Sequence, residues 1–183
     1  MNNDMWIIRS RLNERSKLHK AQDQLTKLVL ISSGLLFLTL LYVWLIQVTP
    51  KIVVPKRYYL GSLVIVLSSL GLVGTKYAIV RDKLQLAVYL LVISTGMGVA
   101  FGFIQLYGWP SLQSSNQIGN NIFLPFAAIH FLHLAVGITF LMVVLRRLNN
   151  FQVHSKSMRF TSNVFLFWHF LGLIWVAFMF LVA

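Results

Sequence analysis

The sequence predicts an all-α membrane protein, a single bundle of five transmembrane helices. Three observations lead there. Hydrophobic residues make up 57% of the 183 positions and charged residues only 11%, too little charged surface to keep a domain of this length dissolved. Five apolar runs, at 25–48, 58–80, 84–108, 122–145 and 164–183, each reach the roughly 20 residues that cross a bilayer core. None of these runs holds an Asp or Glu; Asp4, Glu14, Asp23 and Asp82 lie before them or in a connection. Backbone polar groups in lipid must be satisfied within the segment, so the runs are helices. A β-barrel would show short alternating strands instead. The chain has no cysteine, which excludes disulfides, thiolate metal sites, iron–sulfur clusters and cysteine nucleophiles.

Residues 1–24 read as a basic cytoplasmic segment ahead of a five-helix domain at 25–183. It is not a secretory signal: the first apolar run starts late, is too long, and lacks a small-residue cleavage pattern. Met5, Ile8 and Leu12 fall at helical spacing, which suits a helix lying on the membrane surface; a frayed tail is the alternative. The first run carries Ser32-Ser33-Gly34, and the second carries Ser68, Ser69, Gly71 and Gly74. Only Arg81-Asp82-Lys83 separate the second run from the third, so those two form a tight antiparallel hairpin. The third run contains Gly96 and the G-x-x-x-G pair Gly98 and Gly102. An uncharged polar loop, WPSLQSSNQIGNN at 109–121, leads to the fourth run, with Pro125 expected in its first turn, where a missing N–H costs little. Ala127, Ala128, Ala135 and Gly137 follow, and the last run has Gly172 and Ala177. Small residues in every run permit the close approach that membrane helices need in the absence of a hydrophobic drive.

Thirteen of the sixteen Lys and Arg residues fall on one side, in the N-terminal segment and the start of the first run, at the end of the second run and the connection after it, and in the fourth connection; only Lys51, Lys56 and Arg57 fall on the other. The positive-inside rule then places the N-terminus in the cytoplasm and the C-terminus outside, in a multi-pass membrane protein. The net charge of +12 is met by anionic headgroups, and nucleic acid is not the expected partner.

Without intramembrane acids or repeat halves, a pump, channel or carrier is disfavoured. The histidines hold the remaining chemistry. His130 and His133 are three apart and share a helix face; His169 lies in the last run, between Trp168 and Phe170. Two chemistries are open to them. They could bind a metal or clamp a haem, as in a stand-alone membrane cytochrome b. They could also hydrogen-bond a neighbouring helix, a contact worth only about 0.6 kcal/mol in membranes. Trp168 and Trp175 are seven apart and share a face with Gly172. Trp168 suits an interfacial anchor, Trp175 a buried contact with another helix, and together they point to a protein partner.

Two motifs make the pattern more specific. His130-Phe-Leu-His133-Leu-Ala-Val-Gly137 has the form H-x-x-H-x-x-x-G, and Trp168-His169-Phe170 followed by Trp175 gives W-H-F-x-x-x-x-W. Their order and spacing at the end of a five-span chain resemble subunit III of the haem–copper terminal oxidases, of the bacterial five-helix type. Ser68-Ser69 is similar to the family's serine pair, and Phe101 with Gln105 to its F-x-x-x-Q. The resemblance covers about 25–183. It implies a subunit of an oxygen-reducing complex of a bacterial inner membrane, with no catalytic, cofactor-binding or metal-binding residue of its own. Haem and copper would lie in partner subunits. The chain would pack on subunit I, meet others such as subunits II and IV, bind phospholipids, and have a possible place in a respiratory supercomplex. The same likeness admits a quinol oxidase or a nitric-oxide-reductase-type complex, since the electron donor binds elsewhere. The chain departs from the family pattern in one consistent way. Gly34, Gly108, Ser162 and Gly172 stand where the family carries acids, so a proton-antenna role within the membrane is in doubt. His169 is expected on the buried face of the bundle, hydrogen-bonded to another helix near His130 or His133.

Overall fold

The computed structural model describes residues 2–47, 56–113, 120–150, 153 and 158–182. The described residues form five helices: α1 (Asn2–Gln47), α2 (Lys56–Val80), α3 (Leu84–Gln113), α4 (Asn120–Asn149) and α5 (Arg159–Val182). Each contains a stretch long and apolar enough to cross a membrane: Lys20–Ile46, Lys56–Val80, Leu84–Pro110, Phe123–Asn149 and Arg159–Leu181.

Four of the helices close a ring. α2 packs on α3, α3 on α4, α4 on α5, and α5 back on α2. Among the described residues, α1 stands outside this ring and touches only α5 and α4. The α2–α3 pair is the closest in the molecule, as the three-residue connection requires. That connection ends α2 with a Schellman pattern. Lys83 N–H donates to the Ala78 carbonyl at 2.9 Å and Asp82 N–H to that of Ile79 at 3.0 Å. Asp82 takes the left-handed φ of 54°, a conformation open to glycine and, among other residues, most readily to Asn and Asp.

Helix ends extend past the apolar runs. α3 continues to Gln113 and so includes Trp109 and Pro110, which the composition assigned to an outer loop; residues 114–119 lie outside the described residues. α4 opens at Asn120, placing Pro125 in its second turn rather than its first. Each proline deletes one backbone hydrogen bond, at the same end of the bundle. α5 begins at Arg159, five residues before its apolar run. Polar residues at a helix end keep their backbone bonds and let headgroups or water solvate the side chains, so hydropathy marks the lipid-facing part and not the whole helix. α1 runs without a break for 46 residues, about 69 Å at 1.5 Å per residue. The side chains of Met5, Ile8 and Leu12 lie outside the described residues.

Candidate functional site

The interior of the ring is organised around two tryptophans of α5. Trp168 is buried, and three helices close on it. Its indole N–H donates to Ser68 Oγ on α2 at 3.2 Å, and Ser68 in turn donates to the Ser94 carbonyl on α3 at 2.8 Å. The ring lies against Gly98 of α3 and Gly137 of α4. A Cβ at Gly98 would sit 2.6 Å from Trp168 Cζ2, and one at Gly137 3.1 Å from Cε3. Gly98 therefore needs to be glycine to accommodate the indole, Gly137 leaves only a tight fit for anything larger, and G-x-x-x-G in α3 serves an aromatic ring as much as a helix backbone. Gly102, its second member, faces Leu134 and Phe131.

Trp175 repeats the arrangement two turns further toward the C-terminal end of α5. Its indole N–H donates to Ser62 Oγ at 3.2 Å, and Ser62 donates to the Tyr58 carbonyl at 3.0 Å. Around it stand Phe101 at 5.3 Å between ring centres, His130 at 5.0 Å and Tyr58 at 6.1 Å. Both tryptophans are thus satisfied within this chain. This corrects two expectations: Trp168 is no interfacial anchor, and the indoles do not reach for another protein. An indole buried in lipid needs an acceptor for its N–H, and the serines of α2 are closer than any partner.

The histidines separate. His130 is fully buried, edge-on to Phe37 and Phe101 at 6.0 Å each. His133 is half-buried and faces α1. Its Nδ1 lies 2.8 Å from the Ile129 carbonyl and its Nε2 3.1 Å from Ser33 Oγ. A carbonyl only accepts, so Nδ1 donates and Ser33 donates to Nε2 of the neutral ring. His169 is half-buried and has no hydrogen-bond partner among the described residues. The helix–helix bond expected of it belongs to His133. Helix geometry explains the exchange: His169 is turned about 100° from Trp168, so a Trp168 that points inward leaves His169 at the margin. His169 is also six residues from Trp175, about 9 Å along the helix, and Trp175 is the residue that His130 touches. Among the described residues no group of three potential metal ligands forms. Trp175, Phe101 and Phe37 pack against the His130 ring, so a macrocycle has no room between these imidazoles.

The other motif residues also find places. Phe170 packs against Gly34 of α1, where a Cβ would meet its ring at 3.5 Å. Ser69 Oγ faces Gly172 at 3.3 Å from where its Cβ would be. Gln105 is fully buried on the interior face of α3. Sequence reasoning missed Ser62 and Tyr58. The signal was present, since 58, 61, 62, 65, 68 and 72 share one face of α2, but serine and tyrosine at helical spacing also describe an ordinary membrane helix.

The cytochrome c oxidase subunit III family model matches residues 38–183. The chain belongs to the cytochrome c oxidase subunit III family. The match begins inside α1 and takes in the whole ring, so both tryptophan layers fall within the family region. Membership makes the chain a subunit of a terminal oxidase complex, in a family that normally carries no metal.

Three of the positions where the resemblance led us to expect acids are glycines with side chains packed against them. A Cβ at Gly108 would collide with the hydroxyl of Tyr58, so no glutamate fits there without moving that ring. Gly172 is occupied from α2 by Ser69 and Ile65, and Gly34 is covered by Phe170. Next to Ser162, Asn163 Nδ2 donates to Asp23 of α1 at 3.0 Å, with Arg159 3.9 Å from the same carboxylate. A carboxylate therefore does stand beside this end of α5, supplied by α1.

Proposed function

We propose that the chain is the non-catalytic subunit III of a respiratory haem–copper oxidase, packing on the catalytic subunit I and stabilising it, with its N-terminus in the cytoplasm and its C-terminus outside. The observation that carries the non-catalytic reading is the filled interior. The ring is closed by its own tryptophans, phenylalanines and glycines, and among the described residues the imidazoles differ in burial and do not converge with further ligands on one point. Such a body offers shape and stiffness to a partner rather than a reaction centre. The charge asymmetry of its connections supports the orientation.

A lipid-binding role is supported by the seam where α1 lies on the ring. Two apolar grooves run along it. One, of about 250 Å³, is bounded by Gly34, Phe37, Leu41, Phe126, Phe170 and Phe178. The other, of about 240 Å³, lies between Val29, Phe140, Phe160, Val164 and Phe167. Their dimensions and lack of charge suit acyl chains, and phospholipids would fill them in the assembled complex.

The test is purification of the tagged chain from native membranes in mild detergent, with a reduced-minus-oxidised spectrum and mass spectrometry of the eluate. The expected result is co-isolation with a larger haem-bearing subunit whose haem stays behind when this chain is removed, together with retained phospholipid. A chain that elutes alone and carries haem would overturn the proposal.

A further inference from the structure

We propose that the outer half of the ring encloses an internal water site, bounded by Tyr58 of α2, Gln105 of α3 and His130 of α4. These three side chains are each 0% exposed. Five of their polar atoms have no hydrogen-bond partner among the described residues: Tyr58 Oη, Gln105 Oε1 and Nε2, and both ring nitrogens of His130. Buried polar side chains are paired with few exceptions, and an unpaired one points to a missing partner such as ordered water.

The three lie at one level of the bundle. Phe101 touches His130, and Gly108 lies against Tyr58. Gln105 sits between Phe101 and Gly108 on the same face of α3, about 6 Å from the first and about 4.5 Å from the second along the axis. Gln105 is therefore at a level between the residues that meet the imidazole and the phenol, and both of those rings lie against Trp175, at 5.0 and 6.1 Å between centres.

Among the described residues the surroundings offer no protein alternative. Phe101, Phe123 and Phe178 have nothing to donate or accept, and the Trp175 N–H is already committed to Ser62. No charged side chain belongs to the group, so a cation or anion has no counter-charge. Water fits because it both donates and accepts. Gln105 presents a donor and an acceptor, Tyr58 a hydroxyl that does either, and neutral His130 one of each. A buried water typically makes about three such bonds, so one or two molecules complete the set. The site is a pocket and not a conduit, because the layer beneath it is shut by Trp168 between Gly98 and Gly137.

Radiolytic hydroxyl labelling of the full chain, isolated with its co-purifying subunits in lipid nanodiscs and read by mass spectrometry in ¹⁸O water, tests the site. Bound water generates radicals in place and marks the residues next to it. Tyr58 and Trp175 are expected to label several-fold more than Trp168, which is equally buried but has its N–H satisfied and no unpaired neighbour. Labelling at Tyr58 and Trp175 no higher than at Trp168 would show a dry interior and overturn the proposal. In the double variant Gln105→Met, His130→Phe the excess at Trp175 is expected to vanish. If it persists in a variant that retains the near-ultraviolet dichroism of the parent, water enters for another reason and the proposal fails. The wild-type comparison decides the matter even if that variant does not fold.

Discussion

The ring of α2 to α5 and the outlying α1 are both apolar helices in the same membrane, yet they are held in different ways. In the most apolar stretch of α5 half the residues are buried; in that of α1 the figure is 17%. The ring is joined by shape: an indole seated between two glycines, with its N–H tied to a serine that is itself tied to a third helix. α1 is joined at points. Ser33 meets His133, Asp23 meets Asn163, Phe37 lies 5.2 Å from Phe126, and Trp44 lies 6.4 Å from Phe178. Where lipid removes the hydrophobic drive, close packing over an area makes a fixed unit, and a few polar contacts make a docked one.

The largest effect should come from the seat of the indole. Gly98→Ala puts a methyl group where the Trp168 ring lies, and that ring is pinned on its other sides by Gly137 and Ser68. Overpacking of this kind costs about 1–3 kcal/mol. The stability lost in a membrane unfolding assay should be partly recovered in Gly98→Ala, Trp168→Phe, where a smaller ring leaves room. No loss in the single variant would mean that the ring is not held by shape. Gly108→Ala should come next. Its new methyl meets the Tyr58 hydroxyl, so the destabilisation should be smaller in a Tyr58→Phe background, as read by thermal unfolding of the two pairs. The points that hold α1 should matter least. Ser33→Ala is expected to cost about 0.6 kcal/mol, the usual worth of such a bond in a membrane. Asp23→Asn should cost less than about 1 kcal/mol, because Arg159 is largely exposed and the carboxylate partly so. Cross-linking between cysteines placed in α1 and α5 should show α1 loosened while the ring is unchanged. If these changes unfolded the ring, the distinction between the two regions would be wrong.

Much of this arrangement was legible in the sequence, for a physical reason. Lipid demands about 20 apolar residues in a row, so the five spans announce themselves, and a three-residue connection forces the α2–α3 hairpin. The motif positions Ser68, Gly137 and Trp168 do meet inside the bundle, and Trp175 is buried two turns along the same helix. What the sequence hid was direction around the helix axis. Whether Trp168 or His169 faces inward depends on a rotation of about 100°, and in a run apolar all round no polar face marks the outside. Hence His169 was expected to make the bond that His133 makes. Gly108 was equally unreadable, since its reason is a tyrosine fifty residues earlier. The helix ends ran past the apolar runs because headgroups and water solvate polar side chains without ending a helix.

The two tryptophan–serine bonds also act on assembly. The indoles are seven residues apart on α5 and their acceptors six apart on α2, spacings of about 10.5 and 9 Å. Only one axial alignment of these antiparallel helices satisfies both. A slip by a single turn strands two indole N–H groups in lipid at once. The pair therefore works as a register gauge: α5, the last of the five helices in chain order, is accepted at one depth and penalised at its neighbours.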